Sequence, residues 1–417
     1  MGSLAHVSVT GHLQGGPGEL VAIDLPPGEH WLDVLADLWW RGVSVMPVDH
    51  RLTHREKRAL LDRAEPAVVV STDGAMVFAD ATRADPERAA VVMPTSGTGG
   101  EPRLAELPRM ALLRALERSN TALEVAPDEP WLAVLNPGHI GGLLVYLRQA
   151  ALGTPVAAHE LFDPAALNGM GSAIASVVPT MVVRLVEANA DLTGVTLLVG
   201  GARLDPTLGD AAAGLGARVV TSYGLTEACG GVAYDGHPLE GTELRLGPDG
   251  GIELRGPTLM EGYRLDPQAT ADAFTVDGWL RTGDVGVFDG DGGIEVLGRL
   301  YDRIRSGGET IWPQEVERVL VEHPKVHEVV VAGLPDPEWG RHVAAWVVPR
   351  SYDDPPALDE LRDHCVEHLA RFKAPKELFL IHELPRTASG KLRRRDLFGL
   401  GPALRRPESG RGGLGPP

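Results

Sequence analysis

The chain has 417 residues, of which 43% are hydrophobic and 23% are charged, as in a soluble globular protein with room for two or three domains. The net charge of −18 argues against a nucleic-acid partner, and from the residues we expect neither membrane insertion nor a signal peptide. Two cysteines cannot form a disulfide framework, so the composition favours a reducing cytoplasm.

Helical and strand patterns alternate from about Glu29 to Gly224. The segment HWLDVLADLWWRG is typical of a helix with one apolar face, and the next helix opens on a capping box of Thr53 and Glu56. Strand patterns such as VSVMPVD, AVVVST, AAVVM, WLAVLN, AIASVVP and VTLLVGG separate the helical ones. This alternation predicts an α/β fold with mostly parallel, helix-covered sheets, on which ligands bind at the carboxyl ends of the strands.

The pattern changes at Thr242. The segments TELRLGPDGGIELRG and FDGDGGIEVLG predict hairpins with Asp-Gly turns, and hence a β-rich subdomain. After residue 303, two helical and three strand patterns predict a small α+β domain. We therefore predict a large N-terminal domain over residues 1–300, a small C-terminal domain over 301–398, and a disordered Gly/Pro/Arg-rich tail over 399–417.

The stretch VVMPTSGTGGEPR, residues 91–103, breaks from an apolar run into hydroxyl and glycine residues and ends on a cation. Hydroxyls and glycine N–H groups on such a loop can wrap phosphate oxygens. Pro102 and Arg103 stand where a P-loop has Gly-Lys, and Pro102 also replaces the third glycine of the dinucleotide fingerprint. Taken alone, the stretch fits phosphate binding and a surface turn equally well.

Four further stretches carry polar residues that a packed core does not require. TSYGLTEACGG contains Thr226 and Glu227, GWLRTGDVG places Asp284 in a glycine-flanked turn, GRLYDRIRSGGETIWPQEVE contains Arg299, and LPRTASGKLRRRDL contains Lys391. Each stretch has a structural alternative, since Glu227 could cap a helix, Asp284 could stabilise an Asx-turn and Arg299 could be a surface cation. Lys391 could be one charge of a solvated basic run with Arg393, Arg394 and Arg395.

In this order, the five motifs resemble those of the acyl-adenylate-forming (AMP-binding) superfamily of acyl- and aryl-CoA synthetases, adenylation domains and luciferases. The resemblance extends from about Glu29 to Leu397. The segments SVVPTMVVRLVE, LLVGGARL, YGLTEACGG, SGGETIWPQEVE and GLPDPEWGRHVAAWVV are most similar to those of o-succinylbenzoate–CoA ligases of menaquinone biosynthesis, especially actinobacterial ones.

The resemblance implies an AMP-forming acid–CoA ligase that uses ATP, Mg²⁺ and coenzyme A. The carboxylate of a small-molecule acid attacks the α-phosphate of ATP and gives acyl-AMP, which the CoA thiol then converts to a thioester. The approach of two anions explains why cations and a metal are needed. Residues 1–300 would form the adenylation domain, and residues 301–398 a mobile domain that carries the catalytic Lys391 and rotates between the two half-reactions.

The family's site residues carry over onto matching positions. The phosphate loop would be Thr95, Ser96, Gly97, Thr98 and Gly100, with Arg103 in place of the usual lysine. Glu227 would hold Mg²⁺ and Thr226 would contact the α-phosphate. Adenine would lie among Gly200, Gly201, Tyr223 and Gly224. Asp284 would take the ribose hydroxyls, with Arg299 on ribose or phosphate. Ser306, Gly307 and Gly308 would help to form the pantetheine tunnel.

Other positions are weighed against simpler interpretations. His139 in NPGHIGGL matches a family position near the acyl carboxylate, although it could be a polar residue at a helix N-terminus. Cys229 is interpreted as a small wall residue rather than a nucleophile. His364 and His368, at i and i+4, are interpreted as a solvated helix face rather than a metal pair.

Three positions depart from the family pattern. Gly99 replaces a hydroxyl residue of the loop, Arg103 keeps the charge of the usual lysine but not its geometry, and Tyr301 stands at the hinge. Two other functions remain open: an adenylating enzyme that passes the acyl group to an amine or a carrier-protein thiol, and a nucleotide sensor without activity. The retained polar residues disfavour the sensor. The residues alone fix neither the acid nor the oligomeric state.

Overall fold

The structure is a computed structural model that describes residues 18–78, 81–95, 102–386, 392 and 394–399. The chain divides into two compact units, the first comprising Met1–Thr282 and Val287–Glu295 and the second Gly283–Gly286 and Val296–Pro417. No helix in the described ranges combines the length and apolarity needed to cross a membrane. The domain boundaries at residues 300 and 398 remain a prediction.

The first unit contains two seven-stranded sheets. The strands of the first sheet are β1 (Leu20–Asp24), β2 (Ser44–Pro47), β3 (Val68–Ser71), β4 (Gly74–Val77), β5 (Val91–Thr95), β6 (Arg103–Leu107) and β16 (Gly262–Tyr263). Their order is β16-β6-β5-β2-β1-β3-β4. The pairs among β5, β2, β1 and β3 are parallel, whereas β6, β16 and β4 join antiparallel at the edges.

The second sheet has the order β13-β12-β11-β10-β9-β7-β8. It consists of β7 (Trp131–Ala133), β8 (Val156–Ala158), β9 (Ala173–Val177), β10 (Val195–Val199), β11 (Arg218–Leu225), β12 (Gly230–Tyr234) and β13 (His237–Pro238). The pairs from β8 to β11 are parallel, and β12 and β13 are antiparallel additions. The prediction of mostly parallel sheets is confirmed.

The described ranges of the first unit contain seven α-helices. They are α1 (Glu29–Trp40), α2 (His54–Ala64), α3 (Arg109–Leu123), α4 (Ile140–Leu147), α5 (Pro179–Glu187), α6 (Pro206–Gly214) and α7 (Pro267–Ala273). Thr53 and Glu56 form the predicted capping box of α2, and proline opens α5, α6 and α7. The apolar face of α1 packs into the main core through Trp31, Leu35 and Leu38.

A four-stranded sheet follows, with the order β14-β15-β17-β18. Its strands are β14 (Glu243–Leu246), β15 (Gly251–Arg255), β17 (Leu280–Phe288) and β18 (Ile294–Arg299). The predicted β14–β15 hairpin is confirmed. The prediction that Asp284 lies in a turn is wrong, because it lies within β17. The flanking glycines suggested a turn, but Leu280, Thr282 and Asp284 are all buried on alternate positions of a strand.

The second unit contains the predicted α+β arrangement. Its elements are β19 (Ile304–Ser306), β20 (Glu309–Ile311), α8 (Pro313–Val321), β21 (Val326–Asp336), β22 (Gly340–Pro349), α9 (Leu358–His368) and β23 (Glu377–Leu380). β21 pairs antiparallel with β22, which pairs parallel with β23. Helices α8 and α9 pack against this sheet through Val316, Leu320, Leu361 and Cys365. The predicted tail lies outside the described residues from position 400 onward.

Candidate active site

Glu227 lies at the turn between β11 and β12. β11 continues to Leu225, and a 3-10 helix over Thr226–Ala228 follows it. A Cβ at Gly224 would lie 2.2 Å from the Gly230 carbonyl oxygen, so the two strands can approach this closely only with glycine there. Cys229 turns the chain with φ of 53°. This turn fixes the backbone that carries Thr226 and Glu227.

Tyr263 joins Glu227 to the end of the first sheet. Its hydroxyl donates a hydrogen bond of 2.9 Å to Glu227 Oε1, and the Met260 N–H donates one of 2.8 Å to the Glu227 carbonyl oxygen. The Arg103 guanidinium lies 5.2 Å from the centre of the Tyr263 ring. Burial and the Glu227 carboxylate raise the pKa of the Tyr263 phenol, so it stays a proton donor. Tyr263 thus contacts both a carboxylate and a cation.

The predicted phosphate loop lies between β5 and β6, the strand that begins at Arg103. Thr95 ends β5 and pairs with Arg103, the first residue of β6. Ser96, Gly97, Thr98 and Gly100 lie outside the described residues, as does Gly99. The described ends of the loop therefore stand next to a cation that can balance phosphate charge.

The predicted adenine-binding residues lie at the carboxyl ends of two adjacent parallel strands. Gly200 and Gly201 follow β10, whose Val199 pairs with Thr221 of β11. A Cβ on Gly200 would lie 3.6 Å from the side chain of Ser222, and Gly201 has φ of 81°. Because Tyr223 and Gly224 lie near the C-terminal end of β11, all four predicted positions share one sheet edge, where ligands of α/β sheets bind.

His139 belongs to a polar cluster that also includes Asp49, Arg51 and Asn136. Its Nε2 is buried and lies 3.4 Å from Asp49 Oδ2, close enough for an ion pair when the imidazole is protonated. The Arg51 Nη2–Asp49 Oδ2 distance is 2.7 Å, and the Asn136 amide donates to Asp49 Oδ1 at 2.9 Å. Although burial opposes ionisation, the hydrogen bonds from Arg51 hold the pKa of the Asp49 carboxyl well below its usual range.

Backbone contacts also hold the loop that carries Asn136 and His139. Asn136 Oδ1 accepts from the Gly138 N–H at 2.7 Å, and a Cβ at Gly138 would lie 2.8 Å from the Asp49 backbone nitrogen. His139 is the residue before α4 and makes no side-chain cap, so its imidazole is not committed to the helix N-terminus. His139 thus stands at a helix N-terminus, as the simpler interpretation expects, but its side chain does not cap the helix.

In the second unit, Asp284 and Arg299 form an ion pair with Oδ1 and Nε 2.9 Å apart. The Asp284 side chain is buried, whereas 45% of the Arg299 side chain is exposed. The sequence predicted separate contacts to the nucleotide for these two residues. The pair places a cation directly beside a buried carboxyl group.

Ser306, Gly307 and Gly308 form the turn between β19 and β20. Ser306 pairs with Glu309, and both glycines have positive φ, 59° and 91°, as in a type I′ turn. A Cβ on Gly307 would lie 2.4 Å from the Trp339 ring, so this glycine is required by close contact as well as by its backbone angle.

Lys391 lies outside the described residues, but its neighbour Arg394 does not. Arg394 has only 17% side-chain exposure; its Nη1 lies 2.6 Å from Glu317 Oε1, and its Nε lies 3.2 Å from Asp302 Oδ2. The interpretation of Arg394 as part of a solvated basic run is therefore wrong. Its long side chain reaches two carboxylates on separate elements, which a one-dimensional run of like charges does not reveal.

Cys229 is fully buried, and burial raises the pKa of its thiol, which agrees with a wall residue rather than a nucleophile. Sequence reasoning missed Tyr263, Asp49, Arg51 and Asn136. Two sequence patterns contain some of these residues. Tyr263 belongs to GY at the start of GYRLDPQATADAF, and Asp49 and Arg51 belong to the charged triplet DHR in and after a strand pattern.

Comparison with known proteins identifies the family. The AMP-binding enzyme model matches residues 76–264, and the model of the AMP-binding enzyme C-terminal domain matches residues 315–391. The chain is 37% identical to a 2-succinylbenzoate–CoA ligase of Bacillus licheniformis, over 74% of this chain and 70% of the relative. It is 38% identical to the probable 2-succinylbenzoate–CoA ligase of Mycobacterium tuberculosis, over 73% and 82%.

Solved structures agree with these relatives. The o-succinylbenzoate–CoA synthetase of Bacillus subtilis in complex with its acyl-adenylate intermediate has a TM-score of 0.81 and 28% identity, over 92% of this chain and 88% of that one. The same enzyme with ATP and magnesium ion has a TM-score of 0.80 and 27% identity, over 92% and 90%. Motifs, fold and relatives agree, and the chain belongs to the family of AMP-binding enzymes.

Proposed function

We propose that this protein is an ATP-dependent acid–CoA ligase that converts o-succinylbenzoate to o-succinylbenzoyl-CoA through an acyl-AMP intermediate. The observation that carries the adenylation step is the arrangement of Glu227 and Arg103 around Tyr263, beside the end of β5. The choice of acid is supported by the curated relatives and by the solved acyl-adenylate complex. A cytoplasmic location belongs to the same proposal.

In the first half-reaction, an oxygen of the acid carboxylate attacks the α-phosphate of ATP. The bond between the α-phosphate and the bridging oxygen breaks, and pyrophosphate leaves. Thr95, with the loop that follows it, and Arg103 hold the phosphates, and Thr226 contacts the α-phosphate. Because Arg103 stacks on Tyr263, its charge is held near the loop before substrate arrives.

Glu227 fits the magnesium ion that this reaction uses. Its Oε1 accepts the Tyr263 hydrogen bond, and within the described ranges Oε2 has no hydrogen-bond partner, so one hard oxygen stays available. When bound, the ion would neutralise phosphate charge. Tyr263 orients the carboxylate for that task, as partners of metal ligands commonly do.

His139 lies near the acyl carboxylate in this proposal, and Asp49 orients it. Gly200, Gly201, Tyr223 and Gly224 flank the adenine, and Asp284 with Arg299 binds the ribose. In the second half-reaction, the CoA sulfur attacks the carbonyl carbon, the bond to the AMP oxygen breaks, and a thioester forms. Lys391 acts in the first half-reaction, and the turn at Gly307 and Gly308 in the second.

The test is a reaction with ATP, Mg²⁺, CoA and a panel of aromatic, fatty and dicarboxylic acids, followed by mass spectrometry. We expect AMP, pyrophosphate and o-succinylbenzoyl-CoA as products. Much faster turnover of another acid would overturn the choice of acid but leave the reaction class intact. AMP release without a CoA thioester would point to the alternative acceptors, an amine or a carrier-protein thiol.

A further inference from the structure

A cluster of metal-ligating side chains lies on α9, in the second unit. His364, Glu367 and His368 each offer one ligand atom, and these atoms all lie within 4.8 Å of one another. The spacing of i, i+3 and i+4 places all three side chains on one face of the helix. His368 and Glu367 are exposed and His364 is half-buried, so an ion can reach the cluster from solvent.

The half-buried histidine is already oriented. His364 Nε2 lies 3.0 Å from the Val319 carbonyl oxygen of α8, and since a carbonyl can only accept, this nitrogen carries the proton. His364 Nδ1 therefore has its lone pair free. Metal-binding histidines usually donate their second N–H to a carbonyl or carboxylate in this way, which fixes the ring and the tautomer.

Ring contacts restrict the cluster further. The His364 ring lies 5.3 Å from the His368 ring and 5.3 Å from the His323 ring, edge to face in both cases. His323 follows α8, so the half-buried imidazole is held between the two helices. This packing reduces the conformational freedom that an ion would otherwise have to remove when it binds.

The electrostatic setting favours a cation. His368 is the last residue of α9, and the carbonyl groups of a final helical turn carry partial negative charge. Glu367 adds a full negative charge within the cluster. Lys325, a cation near His323, is already paired with Asp354 at 2.9 Å and with Glu360 at 3.0 Å.

In place of the solvated helix face expected from the sequence, we propose that His364, Glu367 and His368 form a surface binding site for one zinc ion in the second unit. Two imidazoles and one carboxylate are a donor set that suits Zn²⁺, with water as the fourth ligand. The site is separate in chemistry from Glu227, since imidazole nitrogens do not suit Mg²⁺. Because His364 also bonds to α8, the bound ion would tie α9 to α8 and stabilise this unit.

The test is isothermal titration calorimetry of the untagged full-length protein with Zn²⁺ alone, without nucleotide or acid. We expect one ion per chain in the wild type. Loss of a hydrogen-bond partner of a metal ligand typically lowers metal affinity by about tenfold or more, and loss of the ligand itself should lower it at least as much. We therefore expect His368→Gln to lower the Zn²⁺ affinity by about tenfold or more. His368→Gln and a control variant, His327→Gln, should both retain the wild-type circular dichroism spectrum, because the substituted side chains are exposed.

The matched control is His327→Gln, an exposed histidine of the same unit on β21, outside the cluster. It should bind Zn²⁺ as the wild type does, and the wild type should unfold at a higher temperature with Zn²⁺ while His368→Gln does not. Three results would overturn the proposal: no binding by the wild type, unchanged affinity in His368→Gln, or equal weakening in both variants. Each result is independent of whether the protein ligates o-succinylbenzoate.

Discussion

Tyr263 donates a hydrogen bond of 2.9 Å to one oxygen of the Glu227 carboxylate while its ring lies under the Arg103 guanidinium. One side chain thus contacts both the proposed metal ligand and the cation of the phosphate loop. The tyrosine reaches this position because β16 extends the first sheet antiparallel to β6, with Tyr263 opposite Ala105. The relationship connects residues that are far apart in the sequence.

We expect Tyr263→Phe to raise the Mg²⁺ concentration needed for half-maximal adenylation by about 10-fold or more, since the ring stays but the hydrogen bond to Glu227 is lost. Glu227→Ala removes the ligand itself and should reduce adenylation far more, at any Mg²⁺ concentration. The measurement is ATP–pyrophosphate exchange titrated with Mg²⁺. If Tyr263→Phe lowered the maximal rate but left the Mg²⁺ requirement unchanged, Tyr263 would not act through the metal ligand.

Lys391→Ala should reduce acyl-AMP formation by roughly 10²-fold, because a preorganised cation interacts most strongly with the charge of the transition state. The same variant, supplied with synthetic acyl-AMP, should form thioester at a near-normal rate. Single-turnover assays of each half-reaction measure the two effects separately. Equal slowing of both steps, or of neither, would exclude a two-conformation mechanism.

The control for that experiment must be a residue that the structure leaves exposed. Arg394 is unsuitable because of its ion pairs, whereas Arg350 follows β22, is exposed and has no side-chain partner within the described ranges. Arg350→Ala removes the same charge from the same unit. It should change neither half-reaction measurably.

Tyr301→Pro should slow thioester formation while acyl-AMP still forms, because proline fixes φ at the predicted hinge. Tyr301 lies in a 3-10 helix over Leu300–Asp302 and is 54% exposed, so its side chain contributes little burial. Tyr301→Ala is the matched control, since it removes the ring and keeps backbone freedom. A similar loss of both half-reactions in the proline variant would indicate a folding defect instead.

Arg394→Ala should destabilise the second unit by about 3 kcal/mol, because it leaves the carboxylates of Glu317 and Asp302 without their common cation. Urea unfolding monitored by tryptophan fluorescence and circular dichroism measures the change. The Arg350→Ala protein serves again as the comparison and should unfold as the wild type does. A destabilisation below about 0.5 kcal/mol would show that water or other cations replace Arg394.

The sequence predicted those parts of the fold that depend on local patterns. The capping box at Thr53 and the β14–β15 hairpin follow from neighbouring residues, and the structure has both where expected. The position of Asp284 was misread because glycines on both sides outweighed the alternation of buried residues along β17. Residue type alone does not distinguish a glycine-containing strand, which is held by pairing with its neighbours, from a turn.

Contacts between distant segments were the part that sequence could not supply. Asp49 and His139 are ninety residues apart, and they meet only because the segment after β2 lies against the loop before α4. The burial of Arg394 depends on carboxylates from two other elements. The family resemblance named His139 and Glu227, but it gave no account of what holds either side chain in place.

The division of the chain at β17 and β18 restricts how this enzyme can be recombined with its relatives. The second unit takes residues Gly283–Gly286 from the middle of one strand and resumes at Val296 in the next. A single crossover at the predicted boundary at residue 300 would therefore join Asp284 and Arg299 of one parent to a C-terminal domain of another. Chimeras and domain libraries should instead inherit residues 280–303, together with the rest of the second unit, from one parent.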